Sequence, residues 1–299
     1  MKTAIPSMLT SLVVVFALPF FAESQGAEEH RIGVLTLHGV GSQRQGRDFD
    51  KELRAALQQQ AGRQTAIIVK TVHYHGKSRT RQQELCRAYD RMEDRSGNLL
   101  DQMIIRRLML ASVGDALAYA NDQTAPNSYY RRTHEELRNT IDKLEAELGD
   151  GQPVVVVAHS LGCKVIFDYL CDVQNGRGIW DGTERPSEFQ KLANLRLLIT
   201  TGCSLPFFES VVPIAEQRFF RINSDFQWVN FYDRDDPLGW PLRQLGGRFE
   251  EIVQDKERNG LGNVLTSHLR YWTDEDLNEE IAGRILKLTE VDEQTGNDE

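Results

Sequence analysis

The chain has 299 residues, 40% hydrophobic and 26% charged, the balance of an ordinary globular protein with enough length for one large α/β domain. Its formal net charge of -9 argues against the clustered Lys and Arg that a phosphate backbone demands, so no nucleic-acid partner is expected. Cys86, Cys163, Cys171 and Cys203 have neither the C-x-x-C spacing of a metal site nor the density of a disulfide scaffold. They read as small buried hydrophobes, with a Cys163 to Cys203 pairing open in an exported protein.

Residues 1–26 have the make-up of a secretory signal: Lys2, an apolar run from about Leu9 to Phe21 interrupted by Pro19, then small and polar residues around Ala22, Ser24 and Gly26. The run falls short of the ~20 residues of a spanning helix. A cleaved leader and a secreted or periplasmic protein are therefore expected, with retention as a membrane anchor as the alternative. The folded domain is expected over residues 27–290.

Arg31 to Leu37 is a β-branched, apolar run that ends in the turn signal His38-Gly39-Val40-Gly41. Phe49 to Gln60 carries helical spacing and Ala66 to Tyr74 returns to strand composition. Arg79 to about Leu148 is helical, with breaks near Gly97 and at Pro126 that leave room for two or three helices. Val154 to Val157 is apolar on both faces, as a central parallel strand is, and a helix follows from Gly162 to Leu170. Further strands are expected at Leu195 to Thr201 and Gln227 to Tyr232, then a last helix after His268, and Val291 to Glu299 reads as an acidic disordered tail. The alternation predicts an α/β fold: a mostly parallel central sheet flanked by helices, with a helical insertion before the strand that leads to Ser160.

Ala158-His159-Ser160-Leu161-Gly162 lies between that strand and its helix. A serine hydroxyl is a weak nucleophile at neutral pH and needs exposure, a base and a seat for an oxyanion. Small residues two before and two after the serine permit the sharp turn that exposes it, and in turns of this kind the partners follow in the order Ser, acid, His. Only His268 lies after Ser160, which makes it the candidate base. Asp233, Asp235 and Asp236 crowd the turn after Gln227 to Tyr232. Asp236 is the choice because Pro237 fixes the backbone behind it, with Asp233 and Asp235 as alternatives. The oxyanion donors are expected to be the backbone N–H groups of Leu161 and Val40. His38 is expected to hold that loop. Leu205, Pro206, Phe207, Phe208, Val211 and Val212 follow a strand end and are apolar enough to line a substrate pocket, Phe207 and Phe208 foremost, with an internal core cluster as the alternative. His73 and His75 lack a third ligand at a recognisable spacing, so neither metal nor cofactor is expected.

The motifs H-G-V-G (38–41), G-D-A-L-A-Y (114–119), H-S-L-G with V-I-F-D-Y-L (159–170), T-G-C-S-L-P (201–206), N-F-Y-D-R-D-D-P-L (230–238) and S-H-L-R-Y-W (267–272) span most of the chain. In them the sequence resembles bacterial lipase- or esterase-type α/β hydrolases and, in several motifs, the DDHD-type phospholipase A1 family. That resemblance implies the α/β-hydrolase fold, Ser160 as nucleophile, Asp236 (in D-P-L, where the family has D-P-V) as acid and His268 as base. It departs at Ala158, where the family has Gly, and at Cys163, where a Ser usually stands. The implied activity is hydrolysis of a small-molecule or lipid-like carboxylic ester, with peripheral membrane contact compatible with the latter. The alternatives are a thioesterase, amidase or acyltransferase on the same triad, or an inactive binding module of this fold.

Overall fold

The computed structural model describes residues 30–39, 50–61, 65–74, 84–85, 113–121, 125–182, 185–214, 221–264 and 266–295. Among these, six strands form one sheet: β1 (His30–Leu37), β2 (Thr65–Val72), β3 (Val154–His159), β4 (Leu195–Thr201), β5 (Gln227–Tyr232) and β6 (Val253–Glu257), in the order β2-β1-β3-β4-β5-β6. Every neighbouring pair is parallel. Parallel pairing needs crossovers, and helices supply most of them: α1 (Lys51–Gln60), α2 (Tyr129–Leu148), α3 (Leu161–Asn175), α4 (Pro206–Glu209), α5 (Arg248–Ile252), α6 (Ser267–Arg270) and α7 (Glu275–Thr295).

The sheet is buried on both sides, and the period-two alternation of its strands divides the core. In β3, Val154 and Val156 face one cluster with Leu137, Ile141, Leu144, Val165 and Tyr169 of α2 and α3. Val155 and Val157 face the other, with Leu53 and Leu57 of α1 and Leu277, Ile281 and Ile285 of α7. The helix α2 starts where sequence chemistry places it. Pro126 lies just ahead, and the Ser128 hydroxyl caps the first turn by accepting the Arg131 N–H at 3.1 Å.

The order of strands positions the site. After β2 the chain crosses back over β1 to lay β3 on its other side, so the topology reverses between β1 and β3. At such a reversal the loops at the carboxyl ends of two adjacent strands diverge and leave a crevice. Leu37 of β1 pairs with Ala158 of β3, which brings the His38-Gly39 turn beside Ser160.

Several expectations are adjusted. The sheet is wholly parallel among the described residues, and it has a sixth strand, β6, that the hydrophobic pattern does not announce. Its sequence Val-Gln-Asp-Lys-Glu is polar because it is an edge strand, and only Val253 is buried. The helix α7 runs through residues 291–295, where a disordered tail was expected. Glu and Gln are good helix formers, and low hydrophobicity alone does not stop a helix already docked by its preceding turns. Of the helical insertion, residues 113–120 and α2 are helical, while most of 79–112 lies outside the described residues, as do the leader (1–26), Cys86 and residues 296–299. Cys163, Cys171 and Cys203 are buried free thiols, so Cys163 and Cys203 form no disulfide. No helix of the described residues is long and apolar enough to cross a membrane.

Candidate active site

Ser160 joins the end of β3 to the start of α3 with φ 52° and ψ -122°, a conformation that an L-residue adopts only under constraint. The constraint is close packing. A Cβ added at Gly162 would stand 2.7 Å from the Leu37 carbonyl oxygen and 2.9 Å from that of His38, so the first turn of α3 lies directly against the end of β1. Ala158, fully buried in β3, is small enough to permit the same approach. Strand, sharp turn and helix thus meet at the switch point of a parallel sheet, the backbone form that a nucleophile elbow requires.

The architecture is an α/β fold: among the described residues, a wholly parallel six-stranded sheet flanked by helices.

The elbow aims the Ser160 hydroxyl at His268, whose Nε2 lies 2.9 Å from Oγ. Nδ1 of the same ring lies 3.0 Å from Oδ1 and 2.9 Å from Oδ2 of Asp236. A carboxylate only accepts, so Nδ1 carries the ring proton and Nε2 is left to accept from the serine. Two more donors complete the carboxylate: the Leu238 N–H at 2.9 Å to Oδ1 and the Tyr271 hydroxyl at 3.0 Å to Oδ2. Burial pushes the Asp236 pKa up, but the His268 hydrogen bond and charge and the Leu238 N–H outweigh it and hold the carboxyl below its ordinary value. Ser160, Asp236 and His268 are all buried.

Of the three candidate acids, only Asp236 is brought to the imidazole. Asp233 is also buried, but its Oδ1 accepts the Asp235 N–H at 2.8 Å and its Oδ2 the Leu261 N–H at 3.0 Å, so it ties the turn together. Asp235 is exposed.

On the other side of Ser160 stands the turn after β1. A Cβ at Gly39 would fall 2.6 Å from the Ser160 Cβ, so only glycine brings the main chain this close to Ser160. His38 holds the turn: Nδ1–H donates to the Gly39 carbonyl at 2.7 Å, the ring stacks on Tyr74, and the Tyr74 hydroxyl donates to the His38 carbonyl. Val40 lies outside the described residues. Leu161 opens α3, where the N–H groups of a first turn have no intrahelical acceptor. Ser160's own N–H is already given to the Thr201 carbonyl at 3.1 Å.

Phe207 and Phe208 sit on α4, just past β4. Phe207 is 54% exposed and meets Trp240 edge-on, with ring centroids 6.0 Å apart. Both rings line a cavity of about 400 Å³ with Tyr119, Tyr130, Lys164 and Asp168. The cavity lies along α3 beyond Ser160, which is not part of its lining. Val211 and Val212 border it as well, whereas Leu205 is fully buried and belongs to the core. Within it the buried Lys164 ammonium donates to Asp168 at 2.7 Å and Glu209 at 3.0 Å, under the faces of Phe167 and Phe208. Neither this ion-paired group nor the role of Tyr271 is visible in the sequence pattern. His73 is exposed at the end of β2 and His75 lies outside the described residues.

His159 is a further residue that motif reading passes over. Its Nδ1–H donates to the Thr201 carbonyl at 3.0 Å, and its ring lies 4.9 Å from that of His268. Burial, then the neighbouring His268 charge, lowers its pKa to about 3, so it stays neutral beside His268.

No family model and no curated protein matches the chain. Solved structures do. The chain is similar to an inhibited esterase B from Lactobacillus rhamnosis, at 9% identity and TM-score 0.49, over 90% of this chain and 81% of that one. An acetylxylan esterase aligns at 11% identity and TM-score 0.41, over 86% and 96% of the two chains. The RedJ thioesterase of Streptomyces coelicolor aligns at 12% identity and TM-score 0.34, over 84% and 85%.

Proposed function

We propose that the protein is a serine hydrolase that cleaves carboxylic esters through an acyl-enzyme on Ser160. The observation that carries this reading is the continuous hydrogen-bonded chain from Ser160 Oγ through the His268 ring to Asp236, mounted on a strained elbow. In the first half-reaction His268 Nε2 takes the serine proton as Oγ attacks the ester carbonyl. The tetrahedral oxyanion is seated by the N–H groups of Leu161 and Val40. Collapse expels the alcohol, which takes the proton from Nε2. Water then repeats the sequence on the acyl-enzyme and releases the acid. Asp236 stays ionised throughout and stabilises the imidazolium. The order of acid and base along the chain, in D-P-L and H-x-x-Y-W, agrees with the resemblance to DDHD-type phospholipases.

A lipid-like ester is supported by what surrounds the crevice. Phe207, Val211, Ile214, Trp240, Val264 and Leu269 are large apolar side chains left exposed on the segments that follow β4, β5 and β6. Such a rim suits peripheral contact with a lipid surface. Export fits the apolar leader ahead of the domain.

The test is hydrolysis of a panel of short- and long-chain esters and matched thioesters by wild type and Ser160→Ala. The reading expects Ser160-dependent ester cleavage that rises with acyl length. Preference for short soluble esters overturns the lipid assignment, and preference for thioesters moves the protein to another acyl class.

A further inference from the structure

We infer that Tyr271 is a positioning residue for the reaction, fixing the orientation and charge of Asp236 through its phenolic hydroxyl. The inference rests on the triad reading above and adds a fourth member to it.

Tyr271 follows His268 by three residues at the end of α6, so one helical turn delivers both the base and the phenol to the same carboxylate. Its ring is 1% exposed. The direction of its hydrogen bond is set by the surroundings. The phenolic oxygen accepts the Asp233 N–H at 2.8 Å, which leaves its own proton free to point at Asp236 Oδ2, 3.0 Å away. The phenol therefore ties the first residue of the acid's loop to the acid itself. Burial, the Asp236 charge and the hydrogen bond to it all favour the protonated phenol and raise its pKa, so the donor is present at any working pH. With the Leu238 N–H on Oδ1, each oxygen has one fixed donor, and rotation of the carboxylate about its own axis breaks both.

The other groups that face this pair do not supply the function. His159 packs beside His268 from the end of β3 and is neutral, with His38 beyond it. The Asp233 carboxylate is turned to Asp235 and Leu261. Ser160 bonds only Nε2 of the base. Among the described residues, Tyr271 is the one donor to Oδ2 besides the His268 ring.

Taking that donor away leaves Asp236 more basic. The imidazolium of His268 is then stabilised, and the ring keeps its proton to higher pH. At the same time the carboxylate loses a restraint on its geometry. Tyr271→Phe is therefore expected to lower kcat roughly tenfold, the size of one lost hydrogen bond to a charged group, with KM unchanged. The acid limb of the kcat/KM profile is expected to move to higher pH.

A double-mutant cycle separates positioning from packing. In an Asp236→Asn background, Tyr271→Phe is expected to cost nothing further, because the charge it serves is gone. A purely structural tyrosine costs the same factor in both backgrounds, or lowers Tm while leaving kcat and the acid limb where they were. Either result overturns the inference. If Tyr271→Phe fails to fold, site-specific fluorotyrosine at 271 replaces it. That stronger donor is expected to move the acid limb to lower pH, and an unmoved or raised limb overturns the inference. Loss of the triad reading is a separate outcome: wild type then hydrolyses no ester, or Asp236→Asn keeps full activity.

Discussion

Replacing Asp236 with Asn changes one atom, and the hydrogen bonds around it determine the consequence. Oδ1 accepts the Leu238 N–H at 2.9 Å, so the amide cannot turn its NH₂ to that side without setting donor against donor. The NH₂ must take the place of Oδ2, where it faces both the Tyr271 hydroxyl and His268 Nδ1 at 2.9 Å. His268 meets it by accepting at Nδ1, which draws the ring proton onto Nε2 in competition with the remaining Nδ1–H bond to Oδ1 at 3.0 Å. Nε2–H then points at Ser160 Oγ, 2.9 Å away, and the serine has no base. A wrong tautomer of this kind costs ~10⁴-fold in kcat, or about 5.5 kcal/mol of transition-state stabilisation. Steady-state hydrolysis of a chromogenic ester by Asp236→Asn, Asp235→Asn and Asp233→Asn reads the effect directly. Asp235→Asn is expected to keep wild-type rates. Asp233→Asn is expected to lose stability more than chemistry, since its carboxylate holds the turn. Activity within tenfold of wild type in Asp236→Asn, or its loss in Asp235→Asn, refutes the reasoning.

Other perturbations follow from the same geometry. Gly39→Ala pushes the turn after β1 away from Ser160 and, under the proposed mechanism, is expected to lower kcat ~10²-fold or more with the protein still folded; an unchanged kcat removes that turn from the proposed oxyanion site. Gly162→Ala places a methyl group against two backbone carbonyls that cannot rotate aside, and chemical denaturation is expected to show a loss of about 1–3 kcal/mol. His159, lowered to about 3 in the fold, binds no proton where the unfolded chain does, so its contribution to stability is complete above about pH 6.5 and is lost as pH falls toward 3. Between pH 6.5 and 5 this group alone removes about 2 kcal/mol, and urea titrations of His159→Gln are expected to show a correspondingly flatter slope. Lys164→Met leaves Asp168 and Glu209 buried together without their cation, a loss of about 3–5 kcal/mol that Glu209→Gln added to it is expected to reduce in part.

The parts of the fold that are plain in the sequence are those where one physical demand dominates. Val154 to Val157 must be apolar on both faces because helices cover both, and β1, β4 and β5 follow the same rule. β6 is different: it lies at the edge, where Asp255 serves as an acceptor for Asn230 and for the N–H groups of Leu242 and Arg243, so its side chains carry no hydrophobic period. Ser160 and His268 are legible because a motif and an order of residues constrain them. The choice among Asp233, Asp235 and Asp236 depends on which carboxylate the turn rotates inward, a matter of a few backbone angles that Pro237 only partly limits. Tyr271 is harder still. Its distance from His268 in sequence is visible, but its bond to Asp236 arises only when a turn after β5 and the helix α6 meet. The same holds for the Lys164 group, whose partner Glu209 stands forty-five residues away.

The central claim is that Ser160 is an activated nucleophile. Treatment of the folded protein with a fluorophosphonate, followed by mass analysis of its peptides, tests it most directly. The account predicts a single phosphonyl adduct on the peptide that contains Ser160, absent from Ser160→Ala and formed far more slowly in His268→Ala. No adduct on folded wild type, or an adduct that persists when Ser160 is removed, contradicts it.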